Sequence, residues 1–283
     1  MSLSCRSYLF VPGDRPERFA KAAASGADCV VIDLEDAVSP SNKKRARESA
    51  CKWLMEGRPA SVRINGADTP WFAADLAMCR RAGVPSIMVP KAQRTTDLLC
   101  IHKAVGAALL PIIESAQGVA LARRLAGVPG VQRLVLGSVD LRLDLGISGD
   151  DSSLSSYSQE LVLASRLAGI EAPVAGVTLQ VADLDVVAHD ARCSRRAGFG
   201  AKLCIHPAQV DTVNACFQPS QDEVAWARSV VAAAAASGGG AFQMDGQMVD
   251  APVVDRATRL LMSQTGSRPV SLITMNPYFR SVS

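Results

Sequence analysis

Two acidic residues, Glu114 and Asp140, are placed where they could do chemistry together. Each follows an apolar run that predicts a buried strand, the first at residues 109–113 and the second ending near residue 136. They lie 26 residues apart, about the length of one βα repeat, so both could project from the same edge of a parallel sheet. Two carboxylates at one rim suit Mg²⁺. The alternative for each is a helix-capping or solvated carboxylate.

The other predicted strand ends carry a further set of charged and polar side chains. Five or more carboxylates with two arginines and a lysine at one mouth suit a metal and an anionic substrate. The residues outside the first pair are Asp14, Arg15, Asp33, Glu35, Asp36, Arg63, Asn65, Lys91 and His206.

Arg63 has two equally plausible roles. Its guanidinium could bind a substrate carboxylate through two parallel hydrogen bonds, or it could pair internally with Asp33 and Glu35. Lys91 could orient that same acidic cluster without touching substrate. We interpret His206, which precedes Pro207, as a structural residue.

Alternating strand-like and helix-like segments must position these residues. Eight strands occur by residue 206, which predicts a (β/α)₈ TIM barrel. A doubly wound open sheet is the alternative, disfavoured because no Gly-x-Gly-x-x-Gly follows the first strand. The predicted strands cover residues 7–12, 29–34, 61–65, 86–91, 109–113, the run ending near 136, 173–177 and 202–206.

The C-terminal part departs from this repeat. An alanine-rich helix at 221–237 precedes a glycine break at 238–240, a hairpin turning at Asp245–Gly246, and a final helix capped by Asp250. We therefore predict a catalytic barrel domain at residues 1–217. Residues 218–283 would form a C-terminal arm of helix, glycine hinge, lid hairpin and tail.

Composition restricts the class of protein. The chain has 283 residues, 48% hydrophobic and 20% charged, with a formal net charge of +3 from 30 basic and 27 acidic residues. This even charge, without a long basic run, argues against a nucleic-acid partner. Eight cysteines without a CxxC pair indicate reduced thiols. We see neither a signal peptide nor a membrane-spanning run, and we expect a cytoplasmic protein without a membrane partner.

The strand ends resemble the signature blocks of the citrate lyase beta-subunit family in the HpcH/HpaI aldolase superfamily, which also includes malyl-CoA and citramalyl-CoA lyases. The matching blocks run in the family's order along nearly the whole chain. They lie at residues 9–18, 31–38, 62–65, 89–91, 113–118, 137–140, 144–146, 201–209 and 246–252.

The resemblance implies a (β/α)₈ barrel, usually a homotrimer, with Mg²⁺ held at Glu114 and Asp140. It further implies that Arg63 binds the carboxylate of a 2-oxo acid and that Asp250 acts as acid or base from the neighbouring subunit. We expect substrate contacts at Arg15, Gly137 and Ser138 as well. The residues expected to support the site are Asp33, Glu35, Asp36 and Lys91.

Two positions depart from the family's pattern. Val139 stands where the family often has an acidic neighbour of the metal ligand, and Gln247 stands where lysine is common in the lid motif. The first departure affects the surroundings of the metal and the identity of the substrate. The second removes a possible charge contact to the thioester.

The expected activity is Mg²⁺-dependent cleavage of a 3-hydroxyacyl-CoA into acetyl-CoA and a 2-oxo acid by retro-Claisen chemistry. Three alternatives stay open: an aldolase acting on free 2-oxo acids without CoA, an acyl-CoA thioesterase using the same metal site, and a non-catalytic subunit that kept the fold. The 246–252 motif speaks against the first, and release of free thiol would identify the second.

Overall fold

A computed structural model describes residues 5–149, 151–237 and 240–265 of the chain. The chain divides into two compact units, one formed by Cys5–Phe217 and one that begins at Gln218. They are described separately. In the described part of the chain, no helix combines the length and apolar character needed to cross a membrane. The eight cysteines are all free.

Eight parallel strands close into a barrel in the first unit, which confirms the predicted TIM-barrel fold. Each strand pairs with the next along the chain, and the barrel closes where Ser7 of the first strand lies opposite Lys202 of the last. The strands are β1 (Ser7–Pro12), β2 (Cys29–Asp33), β3 (Ser61–Arg63), β4 (Ser86–Val89), β5 (Ala108–Ile113), β6 (Val135–Leu136), β7 (Val174–Ala175) and β8 (Ala201–Cys204).

The strands form from continuous apolar runs because both of their faces are buried. Side chains pointing inward fill the barrel, among them Tyr8, Val31 and Met88. Their neighbours along the same strands, such as Leu9 and Ile32, point outward and pack against the helices. The interior is therefore a packed core, and the charged groups of the candidate site lie beyond it, where the strands end.

Helices surround the barrel, and several end on a left-handed glycine. Gly83, Gly106 and Gly146 each have positive φ directly after a helix, which suits the missing Cβ. The helices of this unit are α1 (Phe19–Ala23), α2 (Lys43–Met55), α3 (Phe72–Ala82), α4 (Thr95–Val105), α5 (Ala116–Ala120), α6 (Ala122–Ala126), α7 (Ser138–Leu145), α8 (Ser155–Leu167), α9 (Leu184–Arg196) and α10 (Val210–Cys216).

The second unit contains two helices and a hairpin. Helix α11 (Gln221–Ala236) starts with a capping box between Ser220 and Glu223. Strands β9 (Phe242–Met244) and β10 (Gln247–Val249) join through Asp245 and Gly246, both with positive φ as a type I′ turn requires. Helix α12 (Ala251–Thr265) completes the unit. Residues 238 and 239 of the predicted glycine break at 238–240, and the whole predicted tail at 266–283, lie outside the described residues.

Candidate functional site at the barrel mouth

Arg63, at the end of β3, is bonded to the acidic cluster that follows β2. Its Nε and Nη2 donate to the two oxygens of Asp33 at 2.7 and 2.6 Å. Its Nη1 lies 3.0 Å from Glu35 Oε2 and 3.8 Å from Asp36 Oδ2. The internal pairing considered from the sequence is therefore present. A guanidinium carries five N–H donors, so these contacts leave donors that can still face a substrate.

The surroundings of Asp33 hold this pair rigidly. Asp33 is buried and also accepts hydrogen bonds from the backbone N–H groups of Glu35 and Ala37, at 2.8 and 3.2 Å. The ring of Phe10 lies 4.9 Å from the centre of the Arg63 guanidinium. Four hydrogen bonds on one carboxylate and an aromatic face on its partner leave the guanidinium little freedom to move.

Lys91 links the cluster to the end of β5. Its Nζ lies 3.5 Å from Glu35 Oε1, and its backbone N–H donates to Glu114 Oε1 at 2.6 Å. The backbone of Lys91 is left-handed, with φ of 49°, a conformation that non-glycine residues adopt infrequently. The bond from Lys91 occupies one oxygen of Glu114 and leaves the other for a further partner.

Helix α7 brings Asp140 beside Glu114. The helix begins directly after β6, at Ser138, and carries Asp140 in its first turn. Gly137 packs so closely on Glu114 that a Cβ there would lie 2.7 Å from Glu114 Oε2. The missing side chain is therefore what allows the helix to start against the carboxylate.

Two carboxyl groups of the site hold protons more tightly than usual. Burial raises the pKa of Glu114 to about 7; the Lys91 N–H opposes this effect and the charge of Asp140 adds to it. Burial also raises the pKa of Glu35 to about 7, against the influence of Arg63 and with that of Asp36. An uncompensated pair of carboxylates in a sheltered position suits a hard divalent cation, and Glu114 with Asp140 is an all-oxygen donor set of the kind Mg²⁺ accepts.

A cavity of about 270 Å³ opens at the strand ends. Of the residues that the structure describes, four charged ones line it on the β2–β6 side, and we call them the charged arc: Asp33, Arg63, Glu114 and Asp140. Gly137, Ser138 and Val139 line it as well. The structure thus brings most of the predicted site together. Glu35, Asp36 and Lys91 lie behind or beside this wall.

Arg15 lies apart from the cavity wall among the described residues. Its guanidinium is half exposed and lies 3.7 Å from Glu17. The other polar residues at strand ends have local roles. His206 Nδ1 accepts the N–H of Ala208, as expected for a structural histidine, and Asp144 accepts the N–H of Ala116 at the start of α5.

An uncharged wall on the opposite side was missed from the sequence. The ends of β7, β8 and β1, which are consecutive around the barrel, contribute only apolar side chains to the cavity. We call them the apolar arc: Phe10, Pro12, Val177, Leu203 and Ile205. Phe10 and Pro12 are two residues apart, as are Leu203 and Ile205. Side chains at this spacing lie on one face of a strand, so the sequence could have identified these positions as facing the same way.

Asp250 lies in the second unit, directly before α12. Its backbone carbonyl accepts the N–H groups of Val253 and Val254, and its Oδ1 lies 3.4 Å from the N–H of Val253. The residue therefore caps the helix, and one carboxylate oxygen takes no part in that contact.

Comparisons with known proteins agree with this geometry. The (3S)-malyl-CoA thioesterase and the L-malyl-CoA/beta-methylmalyl-CoA lyase of Cereibacter sphaeroides are each 34% identical to this chain, covering 87% and 89% of it and 89% and 92% of their own lengths. The crystal structure of CitE from Mycobacterium tuberculosis in complex with magnesium, acetoacetate and coenzyme A is 32% identical, with a TM-score of 0.83 over 94% of this chain and 100% of that chain. Residues 6–207 match the HpcH/HpaI aldolase/citrate lyase family. The chain belongs to that family.

Proposed function

We propose that this protein is a Mg²⁺-dependent carbon–carbon lyase that cleaves a 3-hydroxyacyl-CoA into an acyl-CoA, typically acetyl-CoA, and a 2-oxo acid. The observation that carries the proposal is the shared cavity of Glu114, Asp140 and Arg63, which puts a metal-type carboxylate pair beside a guanidinium. The relative CitE, which contains magnesium, an oxo acid and coenzyme A, supports the same assignment.

Glu114 and Asp140 are the residues that would hold the metal. Glu114 is positioned by Lys91 N–H and by Gly137, and Asp140 by the first turn of α7. The chemistry that a Mg²⁺ ion would supply at these two residues is Lewis acidity towards the substrate's oxygen atoms. The protein's own contribution is to keep the two carboxylates fixed, so that little rearrangement is needed during the reaction.

The carboxylate of the 2-oxo acid would lie between Arg63 and the start of α7. The first N–H groups of a helix have no partner within the helix, and Gly137 and Ser138 bring that end to the cavity. The Ser138 hydroxyl is buried and has no hydrogen-bond partner in the described part of the chain, so it can donate to a bound oxygen. Three kinds of donor, from Arg63, Ser138 and the backbone, would thus orient one anion.

Asp250 is proposed to protonate the enolate carbon of the departing acyl thioester, or to remove that proton in the condensing direction. We propose that it does so at the mouth of a neighbouring subunit in a homotrimer, and that the arm at residues 218–283 keeps water from the enolate. No nucleophile and no covalent intermediate are required.

A thioesterase activity is the second candidate. Of the two Cereibacter sphaeroides relatives described above, each 34% identical to this chain, one is named a thioesterase and the other a lyase. The deciding experiment incubates the full chain with malyl-, citramalyl- and citryl-CoA, with and without Mg²⁺. A lyase releases an acyl-CoA and a 2-oxo acid in equal amounts. Free coenzyme A released together with the intact hydroxy acid would favour the thioesterase, and absence of both reactions would overturn the proposal.

A further inference from the structure

The cavity at the barrel mouth has two chemically different sides. All four charged residues that line it, among those described, belong to the charged arc, whereas β7, β8 and β1 contribute only the apolar arc. A small ligand with one charged and one uncharged end therefore fits best with its charged end at the charged arc and its uncharged end at the apolar arc.

Among the described residues, the mouth offers no basic side chain for a second carboxylate. Arg63 is the one basic side chain among the described residues of the wall, and it already contacts Asp33 and Glu35. Lys91 ends beside Glu35, and Arg15 ends beside Glu17. A dianionic ligand would place its second carboxylate against the apolar arc without a partner, which is costly.

We propose that the apolar arc is the subsite for the substituent of the 2-oxo acid, and that it selects monocarboxylic 2-oxo acids with a small alkyl group over 2-oxo diacids. This inference rests on the proposed function and narrows its substrate class. The specificity-determining side chains are Leu203 and Ile205, at the end of β8, together with Val177.

Val139 extends the uncharged surface to the other side of the metal ligands. Its side chain is 41% exposed and lines the cavity next to Asp140. An acidic residue at this position would add one more negative charge to a wall that holds three carboxylates and one guanidinium. With valine, the wall offers further contact area to an alkyl group and nothing to a second carboxylate.

The first experiment measures binding of 2-oxo acids to the full chain by calorimetry at fixed free Mg²⁺ and without CoA. Glyoxylate, pyruvate and 2-oxobutanoate should bind with rising affinity, by roughly fourfold for each added CH₂. Freshly dissolved oxaloacetate should bind at least about tenfold more weakly than 2-oxobutanoate, because its terminal carboxylate meets no basic side chain at the apolar arc. Equal affinity for these last two acids overturns the inference.

A gain-of-function variant tests the position of the subsite. Ile205 is 37% exposed, and its backbone N–H is held by Gln209, so Ile205→Arg should fold and place a guanidinium at the apolar arc. We expect it to favour oxaloacetate over 2-oxobutanoate by on the order of tenfold relative to the unmodified chain. Leu179→Arg is the control, since Leu179 is 56% exposed and outside the cavity wall.

The outcomes separate this inference from the proposed function. If both arginine variants shift the preference equally, the shift comes from the added positive charge at any position. The assignment of the apolar arc as the subsite is then wrong. If the chain binds Mg²⁺ but none of the 2-oxo acids, the proposed function fails together with the inference. If 2-oxo acids bind without discrimination, the proposed function stands and only the inference fails.

Discussion

Glu114 combines two properties that conflict in the absence of a metal. It is only 7% exposed, and burial raises its pKa to about 7 from 4.5. Between those pH values the folded metal-free protein holds a proton that the unfolded chain releases. The free energy of unfolding should therefore fall as the pH rises from about 4.5 towards 7. A bound cation removes this penalty because it takes the place of the proton.

Glu114→Gln should abolish Mg²⁺ binding and raise the stability of the metal-free protein at pH 8. A pKa raised from 4.5 to about 7 corresponds to at most roughly 3 kcal/mol, or several degrees in Tm. Calorimetry with a chelator at pH 8 and pH 5 tests this, and most of the difference should be gone at pH 5, where the folded carboxyl is protonated and the unfolded one only partly ionised. Glu17→Gln, on an exposed residue, should change neither property. A variant that still gains stability from Mg²⁺ would contradict the assignment.

Arg63→Lys should weaken 2-oxo acid binding by on the order of 10- to 100-fold, because lysine keeps the charge but loses the planar donors. It should also lower stability, since Asp33 loses two short hydrogen bonds. Arg47→Lys provides a matched control: Arg47 donates to buried Asp75 at 2.7 Å but lies outside the cavity wall. Calorimetry should show lower stability in both variants and weaker binding only in the first. Unchanged affinity in Arg63→Lys would make the arginine purely structural.

Residue types at strand ends could be predicted from the sequence, and the pairing of Arg63 with Asp33 and Glu35 was one of two alternatives between which the sequence alone could not decide. Strand endings identify Arg63, Glu114 and Asp140 as neighbours of one mouth, since all parallel strands of a barrel end on the same side. The pairing of Arg63 with Asp33 depends on the register of β2 against β3, which places the two residues opposite each other. Arg15 lies three residues beyond the end of β1, after a turn closed by its N–H and the carbonyl of Pro12, and its guanidinium ends beside Glu17.

Among the elements, α7 contributes most to the site and was the hardest to predict. From Val139 to Leu145 apolar and charged residues alternate strictly, a period typical of a strand. In the helix this pattern puts Leu141 in the core but leaves Val139 and Leu143 exposed. The barrel strands were easier, because continuous burial on both faces gives continuous apolar runs. Tertiary contacts, above all Gly137 against Glu114, override the local pattern in α7.

Gly137→Ala should reduce Mg²⁺ affinity by roughly 10- to 100-fold, the range seen when support of a metal ligand is disturbed. The added Cβ would meet Glu114 Oε2 at 2.7 Å and push the carboxylate from its place. Gly127→Ala, whose Cβ would meet only backbone oxygens at 3.7 Å, is the control and should bind the metal normally. Titration of each variant with Mg²⁺, monitored by intrinsic fluorescence or calorimetry, measures the two affinities. Equal affinities in the two variants would show that Glu114 is not a ligand.

At the scale of the molecule, the proposed roles of the two units can be separated genetically. Asp250→Ala should lose turnover but retain binding of Mg²⁺ and 2-oxo acid, because the barrel residues are untouched. Asp250→Asn keeps an oxygen for the Val253 N–H and should lose turnover without loss of stability. Mixing Asp250→Ala with Arg63→Ala in reassembled oligomers should restore part of the activity. Absence of complementation despite proven subunit exchange would place Asp250 in its own subunit's site or outside the chemistry.

A mouth with a charged arc on one side and an apolar arc on the other also controls handedness. A planar keto carbon with its carboxylate at one arc, its alkyl group at the other and its keto oxygen directed through a bound cation at Glu114 and Asp140 would have three fixed substituents, so it could not turn over inside the cavity. The same face therefore meets the acyl enolate in every turnover, and condensation should give a single enantiomer at the new carbinol centre. In the cleavage direction, a racemic hydroxyacyl thioester should be consumed only to half. The remaining thioester can be hydrolysed, and chiral chromatography of the hydroxy acid obtained would show which enantiomer the barrel rejects.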